Sequence, residues 1–221
     1  MIYGTYQIKG GGERHGASFF SRAFLSFVFF LFLAAANQAN ASCPSDLPSD
    51  YTESWTDGGC YVATLTVGGH TCSALVCFCY RIHYISGSIA AVDYYIKNIK
   101  YKAGCFGFGG PNWHDLLKAA GEKILTDNPT HVEYPPCNSS PAYYEARFFT
   151  GRCFNTESIT ENPWDTNLFD CQSGIGYCYE HWRLCTDPIT GAITKTFVDS
   201  GPWNYNGGTC QSPCVDVCGG Y

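Results

Sequence analysis

The stretch CYVATLTVGGHTCSALVCFCYRIHY, residues 60–84, decides the fold. Two runs rich in Val, Thr, Tyr and Ile flank Gly68-Gly69, and a Gly-Gly pair between β-forming runs marks a two-residue hairpin. With those glycines as the turn, facing residue numbers sum to 137, which sets Leu65 opposite Cys72 and Cys60 opposite Cys77. Counted outward from the hydrogen-bonded pair Val67/His70, the Cys60/Cys77 pair falls at a non-hydrogen-bonded position. Cα atoms there lie about 4.5 Å apart, within reach of a disulfide, so a Cys60–Cys77 bridge is expected. Side chains alternate across a strand. Tyr61, Ala63, Leu65, Val67, Ala74, Val76, Phe78, Tyr80 and Ile82 therefore form the core face, with Thr64, Thr66, Thr71, Ser73 and Arg81 on the other.

Outward from this hairpin, IAAVDYYIKNIKY at residues 89–101 reads as a third strand, whose Lys97, Asn98 and Lys100 point to a solvated face or a sheet edge. One amphipathic helix is expected over about residues 112–126. Asn112 is a good N-cap behind Pro111, Trp113, Leu116, Leu117, Ala120 and Ile124 make one apolar stripe, and Asp127-Asn128-Pro129 ends it. Residues 128–141 are dense in Pro, Asn and Ser and read as a connector, with a division into two lobes near 128–142. Beyond it YYEARFF reads as a strand, and GYCYEHWRLC meets AITKTFVDS across Asp187-Pro188-Ile189-Thr190-Gly191 as a second hairpin. The expected fold class is α+β and β-rich: antiparallel hairpins and one helix, stapled by disulfides.

Residues 1–41 read as a cleaved secretory signal peptide. Lys9, Arg14 and Arg22 precede the apolar run AFLSFVFFLFLAAA, too short to span a bilayer, and Ala39-Asn40-Ala41 suits signal peptidase. The mature extracellular domain is then residues 42–221, secreted, or periplasmic in a bacterial source. Cys43 also gives a faint likeness to a lipoprotein signal, although Asn40 stands where Leu is usual. The chain closes on Gly219-Gly220-Tyr221 without an apolar tail, so neither a membrane span in the mature chain nor a lipid-anchor signal is expected. All 14 cysteines fall in the mature part: Cys43, Cys60, Cys72, Cys77, Cys79, Cys105, Cys137, Cys153, Cys171, Cys178, Cys185, Cys210, Cys214 and Cys218. Such density outside the cytosol implies disulfides, and an even number leaves no thiol over.

Removing Lys9, Arg14, Arg22 and Glu13 with the leader takes the formal net charge from −6 to −8. An acidic chain without a basic stripe argues against nucleic acid as a partner and against an anionic membrane surface. Gly-x-Ser-x-Gly, His-Glu-x-x-His and Cys-x-x-Cys are all absent, and no cofactor motif is present. Glu157, Glu161, Asp165, Asn167 and Asp170 gather in ESITENPWDTNLFD, read as a loop. Asp165, Asn167 and Asp170 are weak calcium candidates, and the same carboxylates are the basis for a glycosidase-like reading. In the mature part Tyr dominates the aromatics, with 14 against 8 Phe and 5 Trp, which favours half-wet binding surfaces. Trp164, Tyr179, Trp182, Trp203 and Tyr205 are the candidate binding face. The functional expectation is a non-catalytic, cysteine-rich secreted protein, structural or adhesive, meeting other protein subunits, extracellular matrix or a glycan. The alternative is a secreted hydrolase.

Overall fold

The computed structural model describes residues 43–45, 53–172, 175–203 and 208–218. The leader and Tyr205 lie outside the described residues. Among the described residues nine strands form one sheet: β1 (Thr56–Val67), β2 (His70–Ile85), β3 (Ser88–Tyr101), β4 (Tyr144–Gly151), β5 (Cys153–Ser158), β6 (Thr166–Asp170), β7 (Tyr177–Thr186), β8 (Ile193–Trp203) and β9 (Val215–Asp216). Among the same residues one helix, α1 (Trp113–Asp127), stands between β3 and β4.

Gly68 and Gly69 both take positive φ, 58° and 83°, the conformation a tight hairpin turn needs at both central positions. From that turn the partners run Val67↔His70, Leu65↔Cys72 and Cys60↔Cys77. Ser86 and Gly87 repeat the device at φ 53° and 81°, so β3 returns beside β2 from Ile85↔Ser88.

β3 is the branch point of the sheet. Its first half pairs with β4 in parallel, Ala91↔Glu145 to Ile96↔Thr150, and its last four residues pair with β6 antiparallel. From β4 the sheet continues to β7 and β8, and from β6 to β5 and β9. The sheet is therefore mixed, not a set of antiparallel hairpins alone: the parallel β3/β4 pair needs a crossover, which α1 and the connector behind it supply. Nor is β3 an edge. It is buried on both faces through its middle, and Lys97, at a register shift between Phe78↔Ile96 and Cys77↔Asn98, bonds Asp57 at 2.7 Å. Residues 157–170, read above as a loop, contain most of a hairpin, with Phe154↔Asp170 and Ser158↔Thr166 as its outer and inner pairs.

Asn112 caps α1 by accepting from the His114 N–H at 3.0 Å, and Asn128 closes it in the left-handed conformation, φ 47° and ψ 57°. Leu116, Leu117, Ala120, Ile124 and Leu125 are buried against Leu65, Val76, Phe78, Val92, Ile96 and Phe148. Gly121 lets the helix approach Phe148, whose ring carbons stand 2.5 Å from where a Cβ would be. The helix touches β1, β3, β4 and β8, so the curved sheet brings strands from both of its ends to one helix. Strands from before and after the 128–141 connector belong to this one sheet.

Seven disulfides use every cysteine: Cys43–Cys79, Cys60–Cys77, Cys72–Cys105, Cys137–Cys185, Cys153–Cys210, Cys171–Cys214 and Cys178–Cys218. None joins residues before α1 to residues after it.

Candidate functional site

On the sheet face away from α1 the alternation of each strand turns charged and aromatic side chains to one side. β2 gives Arg81 and His83, β3 gives Asp93 and Tyr95, β4 gives Arg147 and Phe149, and β7 and β8 give Tyr177, Tyr179 and Trp203. The Asp93 side chain is fully buried at the centre. It accepts from Arg81 Nε at 2.9 Å, His83 Nε2 at 2.9 Å, Arg147 Nε at 2.8 Å and Arg147 Nη2 at 3.0 Å. Arg81 Nη2 adds an ion-pair contact at 2.8 Å without hydrogen-bond alignment. His83 Nδ1 meets Glu53 at 3.0 Å, placing the ring between two carboxylates.

The guanidinium groups also rest on rings. Arg81 lies 4.4 Å from the Trp55 ring centroid, and Arg147 lies 5.4 Å from Phe149 and 5.5 Å from Trp203. Burial opposes the charged form of Asp93, but the His83 and Arg147 hydrogen bonds and the Arg147 and Arg81 charges outweigh it and hold the carboxyl at about 2. A group that acidic has no proton to give near neutrality and is a poor base, so Asp93 acts as a structural counter-ion.

Two open grooves lie on the helix side. The larger, about 570 Å³, is lined by Gly109, Pro111, Trp113, His114, Asp216 and Val217. His114 donates from Nδ1 to the Val217 carbonyl at 3.0 Å, and Asp216 pairs with Arg152 at 2.5 Å. The smaller, about 360 Å³, runs between α1 and strands β1 and β8, lined by Thr64, Thr66, Asp115, Lys118, Glu122 and Lys195 among others. Beside it Glu180 is fully buried, with Lys118 Nζ at 3.3 Å and Trp182 Nε1 donating at 3.2 Å. Burial pushes the Glu180 carboxyl above its ordinary range, with Glu122 adding to the rise and Lys118 and Trp182 opposing it. Lys195 is bonded to Glu122.

The four aromatic candidates among the described residues do not share a surface. Tyr179 and Trp203 pack edge to face at 5.2 Å beside Phe149, on the face away from the helix. Trp182 has the opposite strand parity and packs on Phe197 at 5.1 Å within the helix-side core, and Trp164 sits in the β5–β6 connection with its N–H bonded to Glu161 O. The calcium candidates do not converge either. Asp165 accepts from Ala103 N and Thr166, Asn167 bonds Asn98 and Glu157, and Asp170 accepts from Tyr95 and Gln172 N. Asn167 and Asp170, three apart on β6, face opposite sides of the sheet. The Cys43 sulfur is bonded to Cys79, which leaves it no valence for an acyl-lipid thioether.

Sequence reasoning missed the Asp93 cluster and Glu180. Arg81 and His83 at a spacing of two on one strand were its only local signal. Among the described residues no helix is long and apolar enough to cross a membrane. No family model matches the chain, and neither do any curated proteins or solved structures.

Proposed function

We propose that this chain is a secreted, non-catalytic module with a structural or adhesive role at the cell exterior. The observation that carries the reading is the Asp93 cluster. Its centre, Asp93 with Arg81 and His83, is buried, its carboxylate is paired by two guanidinium groups, and aromatic rings wall it, so it braces the sheet instead of meeting a substrate. Seven disulfides suit an oxidising exterior, where a structural protein must resist unfolding. The half-exposed Tyr179 and Trp203, flanked by His181 bonded to Glu145 at 2.5 Å, give the open face the amphipathic character of a contact surface.

The hydrolase alternative moves from residues 157–170 to Glu180 and Glu122, because a carboxyl held above its ordinary range beside a groove is the mark of a general acid. One experiment separates the two. The secreted, disulfide-intact chain is tested for turnover on chromogenic glycosides and ester substrates, and in parallel for retention on insoluble polysaccharide and matrix proteins. Retention without turnover supports the structural reading, whereas turnover abolished by Glu180→Gln would sink it.

A further inference from the structure

We infer that the free edge of β1 is a self-association surface, and that its partner is the β1 edge of a second copy of this chain. β1 pairs with β2 alone among the described residues. The hairpin register fixes what its other side presents. Val67/His70 is the closing hydrogen-bonded pair, so the N–H and C=O groups of Thr66, Thr64, Val62 and Cys60 point away from β2. Protected edges carry charges, prolines or bulges. On β1 the bulge and the one charge lie at the far end, at Asp57 and Gly59, and Cys60–Val67 has none of these devices. Val62 on that stretch is 62% exposed. β8, by contrast, carries Lys195, Asp199 and Pro202.

Charge selects the occupant. A mature chain of net charge −8 repels its copies over most of its surface, and this uncharged edge is where two copies can meet. A two-fold, antiparallel pairing centred on Thr64 sets Thr64 against Thr64 of the copy, Val62 against Thr66, Ala63 against Leu65 and Tyr61 against Val67, with no like charges opposed. Asp115, Lys118, Glu122 and Lys123 line the groove beside Thr64 and Thr66, so the helix flanking the edge carries both signs and sets no single-sign patch against a copy.

This pairing stands apart from the adhesive reading, because a mass measurement reads it whether or not the chain binds a matrix or turns over a substrate. The test is multi-angle light scattering of the secreted, disulfide-intact chain from about 1 μM to 1 mM, the range of a weak to moderate dimer. The expected result is a concentration-dependent rise from one chain mass to two. Thr64→Pro removes an outward N–H that the β1–β2 ladder does not use, so its disulfide map and circular dichroism stay unchanged while its dissociation constant rises at least tenfold. Thr64→Lys and Thr64→Glu, both on an exposed side chain, are each monomeric alone and form the dimer when mixed. A single-chain mass at every concentration, or a Thr64→Pro chain that dimerises as the parent does, overturns the inference. A dimer indifferent to all three substitutions places the contact elsewhere and overturns it equally.

Discussion

Replacing Asp93 by Asn keeps the shape of the side chain and removes the charge on which two guanidinium groups and the His83 ring converge. Asn also turns one acceptor into a donor aimed at Arg81, Arg147 or His83. A carboxyl held at about 2 instead of 3.8 contributes roughly 2.4 kcal/mol of stability at neutral pH, taking about 1.36 kcal/mol per tenfold change in proton affinity. The guanidinium groups left buried without a counter-ion add to this, so the expected total loss is about 3–5 kcal/mol. The sign of the pH dependence follows from a depressed acid. The carboxylate's contribution is fully present above pH 3.8 and is lost as pH falls through about 2. Guanidinium unfolding of parent and Asp93→Asn with disulfides intact, followed by tryptophan fluorescence at pH 7 and at pH 2, measures both quantities. A loss below about 1 kcal/mol at pH 7, or an equal loss at both pH values, refutes the counter-ion reasoning.

Glu180→Gln is expected to act in the opposite direction. Burial raises this carboxyl, so the folded state favours its proton, and the stability it contributes is present below pH 4.5 and lost as pH rises through the raised value. The Gln variant is then more stable than the parent at pH 8 and equal to it near pH 4, as read by calorimetry. Gly121→Ala gains up to about 1 kcal/mol in helix propensity but drives a methyl into the Phe148 ring, for a net loss of about 1–2 kcal/mol that Phe148→Leu relieves. At Asn128, which holds both Val132 N and Val132 O through its side chain, Ala costs more than Gly by about 1 kcal/mol, because only Gly keeps the left-handed backbone free of strain. Denaturant midpoints of the two variants check the order.

The first hairpin was legible in sequence because its register is local: two glycines fix the turn and the alternation does the rest. The helix was legible for the same reason, with Asn112, the apolar stripe and Asn128 all within one segment. What failed depends on contacts that sequence does not set side by side. β3 and β4 meet in parallel only because α1 and the connector carry the chain back, and Lys97 read as solvated although the register shift between β2 and β3 buries it against Asp57 of β1. The Asp93 cluster was hidden by one residue. Extending the Ser86-Gly87 turn without interruption sets Arg81 opposite Val92, and the register shift between His83 and Tyr84 moves its partner to Asp93. The aromatic face failed on parity: Tyr179 and Trp182 are three apart on one strand, which is enough to separate them to opposite sides of the sheet.

The disulfide connectivity also sets an order of events in time. The first three bridges close among residues 43–105, whereas Cys153, Cys171 and Cys178 await partners 57, 43 and 40 residues further along the chain. At about 5–20 residues per second of synthesis, those thiols stand unpaired for several seconds after they emerge. The amino-terminal hairpins can be oxidised and docked before the carboxy-terminal strands are locked. Correct pairing therefore depends on keeping Cys153, Cys171 and Cys178 from one another, and from Cys137 until Cys185 emerges, before residues 210–218 arrive.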